Sequence, residues 1–395
     1  MAKTKLILFH SGHENDLIME EAFTILFREK GIEIVALNGA SAESASNLLE
    51  VVQDSPEDFI AVVGLGAYIF KFFDGEAPAI HRTLNIPLVI FIMDHPGYSM
   101  IEMPEGIEDA LYITGCEDHE AYWRKHRPLD KNVITVKNIA WANTAESLSP
   151  DLESFLKRDP IIFAPVNLSM AGLSTENWWA YVEQQHEPVL SVIKDSFALV
   201  VQNFNMCVDD AIDEILFDKS IELELLQRVE ASRCVDGLTK MWRRNFVIGS
   251  LIDLPIVVST DYVPEQFLGK YADKFIQTSG YMTVELMSKV QFLINIPPPR
   301  PKMVHDRIGK CIDAGAVLLT EPTSGIQEIL KEDRDYIGYT YNADSLRETV
   351  THALNNPADA YEMTISAKKQ WDEKVGDGSA IKVLLEAIAD MPKAS

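Results

Sequence analysis

Cysteine is scarce in this chain. Four residues, Cys116, Cys207, Cys234 and Cys311, are spread over 395 positions. None forms a CxxC pair, so the sequence encodes neither a zinc site of that kind nor a disulfide framework, and a cytoplasmic protein with reduced thiols is expected. Long apolar runs are also missing. No stretch reaches the roughly 18 apolar residues of a membrane-spanning helix. The apolar run in the opening MAKTKLILFHSGHEND is too short for the core of an export signal and reads as a first strand. Positive charge is in deficit: Lys and Arg number 35 against 60 Asp and Glu, a net charge of −25. A surface of that sign repels nucleic acid and anionic membranes, so neither is an expected partner. Any phosphate must therefore be held by a local site of helix-start N–H groups and a few cationic side chains. No internal repeat or low-complexity segment is present. The lone GxG, Gly64-Leu65-Gly66, lacks the third glycine of a dinucleotide fingerprint because position 69 is Ile69, and it reads as a tight strand-to-helix turn.

What is present is an alternation of short apolar runs and amphipathic segments, with 47% hydrophobic and 24% charged residues, in a chain long enough for two cores. Lys5–His10, Glu33–Leu37, Phe59–Val63, Pro87–Met93, Ala110–Thr114 and Asn132–Val136 read as strands, with helices between the earlier ones, such as Leu17–Lys30. Such alternation implies an open parallel sheet with helices on both faces. The polar stretch 144–160 reads as a linker, and a strand at Ile161–Val166 restarts the pattern. The expected organisation is a Rossmann-like domain over 1–150, a second over 160–375 with an acidic helical insert at about 178–245, and a terminal helix and tail over 376–395. The insert either packs in a cleft or mediates formation of a homodimer.

The second domain is organised around residues 291–329. An apolar strand, Gln291–Ile296, runs into a loop with Pro297, Pro298, Pro299 and Pro301. A short helix follows, carrying His305, Asp306 and Arg307 and ending at Ala314-Gly315, where glycine permits a left-handed turn. A second strand, Ala316–Thr320, leads through Glu321-Pro-Thr-Ser-Gly325 into another helix. Polar groups thus gather at the strand ends where open parallel sheets bind ligands.

This stretch resembles the C-terminal half of GT-B glycosyltransferases, especially the spore-maturation CgeB-type group. The resemblance is carried by Arg307, Ala314-Gly315, Val317–Thr320 and Ser324-Gly325, and further on by Tyr341, Ser345-Leu346, Leu354-Asn-Asn-Pro357 and the helix containing Ala367. It covers about the last hundred residues and is only architectural in the N-terminal half. It implies two Rossmann-like domains facing a cleft, an N-terminal one for the acceptor and a C-terminal one for a nucleotide-sugar donor. The implied activity is metal-independent transfer of a sugar to an acceptor hydroxyl, with the nucleotide-sugar as substrate, no cofactor, and the acceptor unknown. The glutamates that retaining families of this fold place at Glu-x7-Glu are replaced by Lys302 and Lys310, which leaves the donor and the stereochemical outcome open. A sugar-nucleotide 2-epimerase of the same architecture, or a non-catalytic binding or scaffold protein, are the alternatives.

Residue by residue, two readings stand side by side. Arg307 suits a diphosphate bidentately, with His305 and Asp306 beside it, whereas a solvated helix face is the plain reading. Thr320, Thr323, Ser324 and Gly325 offer hydroxyl and N–H groups to a phosphate, but helix capping selects the same residues. Tyr281 and Asn295 are placed at the donor pocket. For the catalytic base, the loop after the first strand offers His13 and Glu14, and the end of the Pro87–Met93 strand offers Asp94 and His95. Capping explains Glu14, and a turn at Pro96-Gly97 explains the second pair. Asp333-Arg334-Asp335 matches the metal-binding Asp-x-Asp of the other glycosyltransferase fold, but its polar turn after a helix suits a solvated charge run, and no metal is expected.

Overall fold

The computed structural model describes residues 4–12, 14–38, 58–65, 81–82, 85–137, 148, 150–169, 174–278, 280–376 and 378–391. The chain divides into two compact units, Met1–Thr144 with Asp377–Ser395, and Ala145–Gly376.

The first unit is built on six parallel strands: β1 (Lys5–His10), β2 (Glu33–Asn38), β3 (Phe59–Leu65), β4 (Leu88–Ile92), β5 (Ala110–Thr114) and β6 (Val133–Thr135), in the order β2-β1-β3-β4-β5-β6. The runs are apolar at nearly every position because both sheet faces are covered, as parallel sheets require. Helix α1 (Glu14–Glu29) buries Phe23, Leu26 and Phe27 against Leu6, Leu8, Val63 and Phe91. Helix α2 (Glu117–His126) follows β5 and buries His119, Tyr122 and Trp123. The sequence reading passed over α2 because charged residues dominate it, although its buried residues fall at helical spacing. The turn at Gly64-Leu65 is the end of β3, and Gly66 lies outside the described residues.

The second unit starts earlier than the expected linker allows. Within 144–160, α3 (Leu152–Leu156) puts Phe155 into the core of this unit, and Gln291 Nε2 donates to the carbonyls of Phe155, Leu156 and Arg158, each at 3.4 Å. A buried amide that meets three carbonyls fixes the segment to the sheet. The strands are β7 (Asp159–Pro165), β8 (Ile256–Ser259), β9 (Phe275–Ile276), β10 (Val290–Asn295), β11 (Val317–Thr320) and β12 (Ile337–Gly338), all parallel, in the order β12-β11-β10-β7-β8-β9. Between β7 and β8 lie α4 (Thr175–Val182), α5 (Val189–Gln202), α6 (Val208–Lys219) and α7 (Leu225–Leu251), which is the expected insert. They enclose a core of their own, with Trp178, Val192, Val200, Ile212, Val235 and Met241. Then come α8 (Gly280–Met287), α9 (Asp306–Asp313), α10 (Ser324–Gln327), α11 (Ala343–Asn355) and α12 (Pro357–Lys374). Gly315 ends α9 at φ +63°, the left-handed turn that the sequence predicts.

The terminal helix, α13 (Ser379–Ala389), belongs to the first unit. Ile381, Leu384 and Ile388 join the core of β1, β3 and α1. The fold is therefore α/β, with two doubly wound parallel sheets and a helical insert in the second. Among the described residues no helix is long and apolar enough to cross a membrane.

Candidate functional site

In the second sheet the chain runs from β7 to β8 and β9 on one side, then returns to lay β10, β11 and β12 on the other. The strand order reverses between β7 and β10, and loops leaving neighbouring strand ends at such a point diverge and open a crevice. Asn295 ends β10 opposite Thr320, the end of β11. Asn295 Nδ2 donates to Thr320 Oγ1 at 3.0 Å, and the Tyr339 hydroxyl donates to the Asn295 carbonyl at 2.8 Å. Both side chains are buried and form a polar floor at the strand ends.

The loop after β10 delivers His305 as the N-cap of α9. Its Nδ1 accepts the Arg307 N–H at 3.3 Å and lies 2.6 Å from Asp306 Oδ1. Burial pushes the imidazole down to about 4, against the pull of Asp306, and Arg307 and Arg244 add to the push. Burial raises Asp306, but Lys310 (2.9 Å), His305 and Arg307 outweigh it and hold the carboxylate well below its ordinary range. Arg307 Nη1 stands 3.5 Å from His305 Nε2. His305, Asp306 and Arg307 are therefore one contiguous group, as the sequence placed them.

The loop after β11 lies against the loop after β10. Gly325 N–H donates to the Pro301 carbonyl at 2.7 Å and Ser324 Oγ donates to the same oxygen at 3.0 Å. Thr323 is buried and its N–H donates to the Glu321 carbonyl at 2.9 Å. The Ser324 and Gly325 donors are thus occupied by Pro301 at the start of a four-residue helix. Tyr281 lies in α8, and its side chain is outside the described part.

Sequence reasoning missed the residues that join these loops. Arg243, only 1% exposed on α7, donates through Nη1 to Glu321 Oε2 at 3.1 Å. The Tyr341 hydroxyl donates to the same oxygen at 3.1 Å. Burial raises the Glu321 carboxyl, and Arg243 and Tyr341 pull it back. Next along the helix, Arg244 Nη1 donates to the Asn167 carbonyl after β7 at 2.7 Å. Lys240 Nζ stands 2.7 Å from Asp236, and Arg300 3.7 Å from the same carboxylate. Lys240, Arg243, Arg244, Arg300, Arg307 and Lys310 thus outnumber Asp236, Asp306 and Glu321 at these loops, in a chain of net charge −25. An anion is the ligand class that such a local excess suits. The available signal was the Arg243-Arg244 pair inside a helix otherwise rich in buried positions.

Among the described residues no group of three His, Cys, Asp or Glu side chains is arranged to hold a metal. Asp335 is buried and accepts from Arg334 (2.8 and 2.6 Å), the Lys331 N–H (2.8 Å) and Ser366. It organises a turn.

In the first unit, the end of β1 presents His10. His10 is buried, its Nδ1 accepts the Gly12 N–H at 3.1 Å, and its Nε2 stands 3.4 Å from Glu20. Ser11 N–H donates to Asp16 at 2.9 Å, which ties the loop after β1 to the first turn of α1. His13 and the Glu14 side chain lie outside the described residues. At the end of β4, Asp94 is exposed and His95 is buried. His95 Nδ1 accepts the Gly97 N–H at 3.1 Å and its ring packs edge-on against Tyr122 (4.9 Å) and near His119 (5.7 Å). Asp94 and His95 therefore sit in different environments, as adjacent residues of an extended chain do.

Residues 243–374 match a family model described as glycosyl transferase-like, which begins at Arg243 and ends with α12. No curated protein sequence matches the chain. Similar solved structures include HepE of Anabaena in complex with UDP-glucose, at 10% identity over 98% of this chain and 100% of that one, TM-score 0.49. A glycosyltransferase from Rickettsia africae ESF-5 shows 9% identity over 99% and 100% of the two chains, TM-score 0.46. The spinosyn forosaminyltransferase SpnP shows 12% identity over 98% and 100%, TM-score 0.42. Residues 243–374, with the strand ends and cations just described, match a glycosyl transferase-like domain.

Proposed function

We propose that this chain transfers a sugar from a nucleotide-activated donor to an acceptor hydroxyl without a metal ion. The second unit takes the donor and the first takes the acceptor. The observation that carries this reading is the local excess of cations at the C-terminal strand ends of the second sheet. As the bond from the sugar's anomeric carbon to the diphosphate oxygen breaks, negative charge grows on the departing nucleoside diphosphate. Fixed guanidinium and ammonium groups stabilise that charge without reorganising. Arg307 is assigned the direct contact, because a guanidinium fork matches two phosphate oxygens. Asn295 and Thr320 line the floor, and Thr323, Ser324 and Gly325 shape the adjoining loop.

The acceptor hydroxyl must lose its proton as it attacks the sugar. In the first unit the candidates for the base are His10 at the end of β1 and Asp94 and His95 after β4, with His13 and Glu14 as the sequence offers them. The narrower kinship with the CgeB-type group rests on the sequence of the C-terminal stretch alone.

The test is product analysis with a panel of nucleotide-sugars, with and without acceptor mixtures. Sugar transfer that requires an acceptor and is lost in Arg307→Ala supports the reading. Conversion of the nucleotide-sugar without any acceptor would point to an epimerase instead.

A further inference from the structure

Helix α7 belongs to two hydrophobic cores. Ala231, Cys234, Val235, Leu238 and Met241 pack inside the helical insert, and Val247, Ile248 and Leu251 pack under the second sheet. Arg243 stands between them. Its Nη2 donates to the Phe204 carbonyl at 3.1 Å, in the loop between α5 and α6. Its Nη1 lies 3.4 Å from the Pro297 carbonyl and 3.3 Å from that of Pro298, in the loop after β10, and 3.1 Å from Glu321 in the loop after β11. The Tyr341 and Phe204 rings flank the guanidinium at 5.3 and 5.9 Å.

One side chain therefore ties three loops, one from the insert and two from the strand ends. Burying a guanidinium against a single carboxylate is weak evidence for a stabilising role, since a packed apolar pair often does as well. What an apolar pair cannot supply is a planar fork that fixes several carbonyls at once. Proline carbonyls at 297 and 298 sit in a loop short of N–H groups, so its geometry depends on outside donors.

We infer that Arg243 is a positioning residue for the donor crevice, and that through it the helical insert sets the conformation of the loops after β10 and β11. This rests on the proposed donor site in the second unit. Arg243→Met alone leaves Glu321 buried without its cation and destabilises the protein for that reason. The deciding protein is the double variant Arg243→Met/Glu321→Met, compared with wild type by thermal unfolding, amide hydrogen exchange and nucleoside diphosphate affinity. The expected result is a melting temperature recovered toward wild type. Exchange over 203–207, 297–304 and 321–325 should rise together about tenfold, and affinity should fall about tenfold or more. Wild-type exchange in all three loops with wild-type affinity would overturn the inference, as would a rise confined to one loop. Should the double variant not fold, Arg243→Lys makes the same comparison, because it keeps a charge against Glu321 but lacks the fork. Raised exchange over 203–207 and 297–304 supports the inference, and unchanged exchange overturns it. If the wild-type protein binds no nucleotide at all, the donor assignment fails, while the exchange comparison still decides whether Arg243 positions the loops.

Discussion

The Gly325 N–H donates to the Pro301 carbonyl across 2.7 Å, so the loop after β11 rests on the loop after β10. A Cβ at Gly325 would lie 2.6 Å from the Lys302 carbonyl oxygen and 2.7 Å from its carbon. Those are backbone atoms and cannot swing away as a side chain would. Gly325→Ala should therefore force the two loops apart and cost roughly 1–3 kcal/mol, as overpacking does. Denaturant unfolding checks the stability, and nucleotide affinity checks the loop geometry. Native values of both would mean that the contact is slack.

That contact also shows where sequence reading stopped. The strand, proline loop, helix and strand of 290–320 are bounded by Pro and Gly and were legible to within about a residue or two at most ends. The turn at Gly315 follows from the same local rules. Ser324 and Gly325 looked like free phosphate donors because their partner, Pro301, is distant in sequence and a carbonyl leaves no mark in composition. Arg243 was hidden for a related reason. A basic residue on a helix reads as solvated until the Phe204, Pro297 and Glu321 loops are known to cover it. Helix α2 was missed because its charged residues outweigh the His119, Tyr122 and Trp123 stripe that it buries.

Arg307→Ala should remove a charge-assisted contact to the departing diphosphate. A loss of about 1.5–3 kcal/mol is expected for such a bond, or roughly ten- to hundred-fold in kcat/KM. Arg307 is not fully buried, so circular dichroism and melting temperature should stay close to wild type. Full activity in this variant would remove Arg307 from the site.

His305 gives a pH signature. Burial holds its imidazole down to about 4, from an ordinary value of 6.5. Between these values the unfolded chain takes up a proton that the native protein refuses. Stability from this residue is therefore complete above pH 6.5 and is lost as pH falls toward 4, with a slope of at most about 1.4 kcal/mol per pH unit. His305→Gln should flatten the stability profile over that window, measured by urea unfolding at stepped pH. Equal slopes in the two proteins would assign the acid sensitivity elsewhere.

The central claim is that the second unit binds a nucleoside diphosphate through the cations at its strand ends. The most direct measurement is thermal unfolding in the presence of nucleoside diphosphates and their sugars, for wild type and Arg307→Ala. A ligand at a hundred times its dissociation constant stabilises by about 2.7 kcal/mol, a readable shift. The account predicts that one nucleoside diphosphate and its sugar derivative stabilise the wild-type protein and that the shift shrinks or disappears in Arg307→Ala. No shift with any nucleotide at millimolar concentration, or an undiminished shift in the variant, would contradict it.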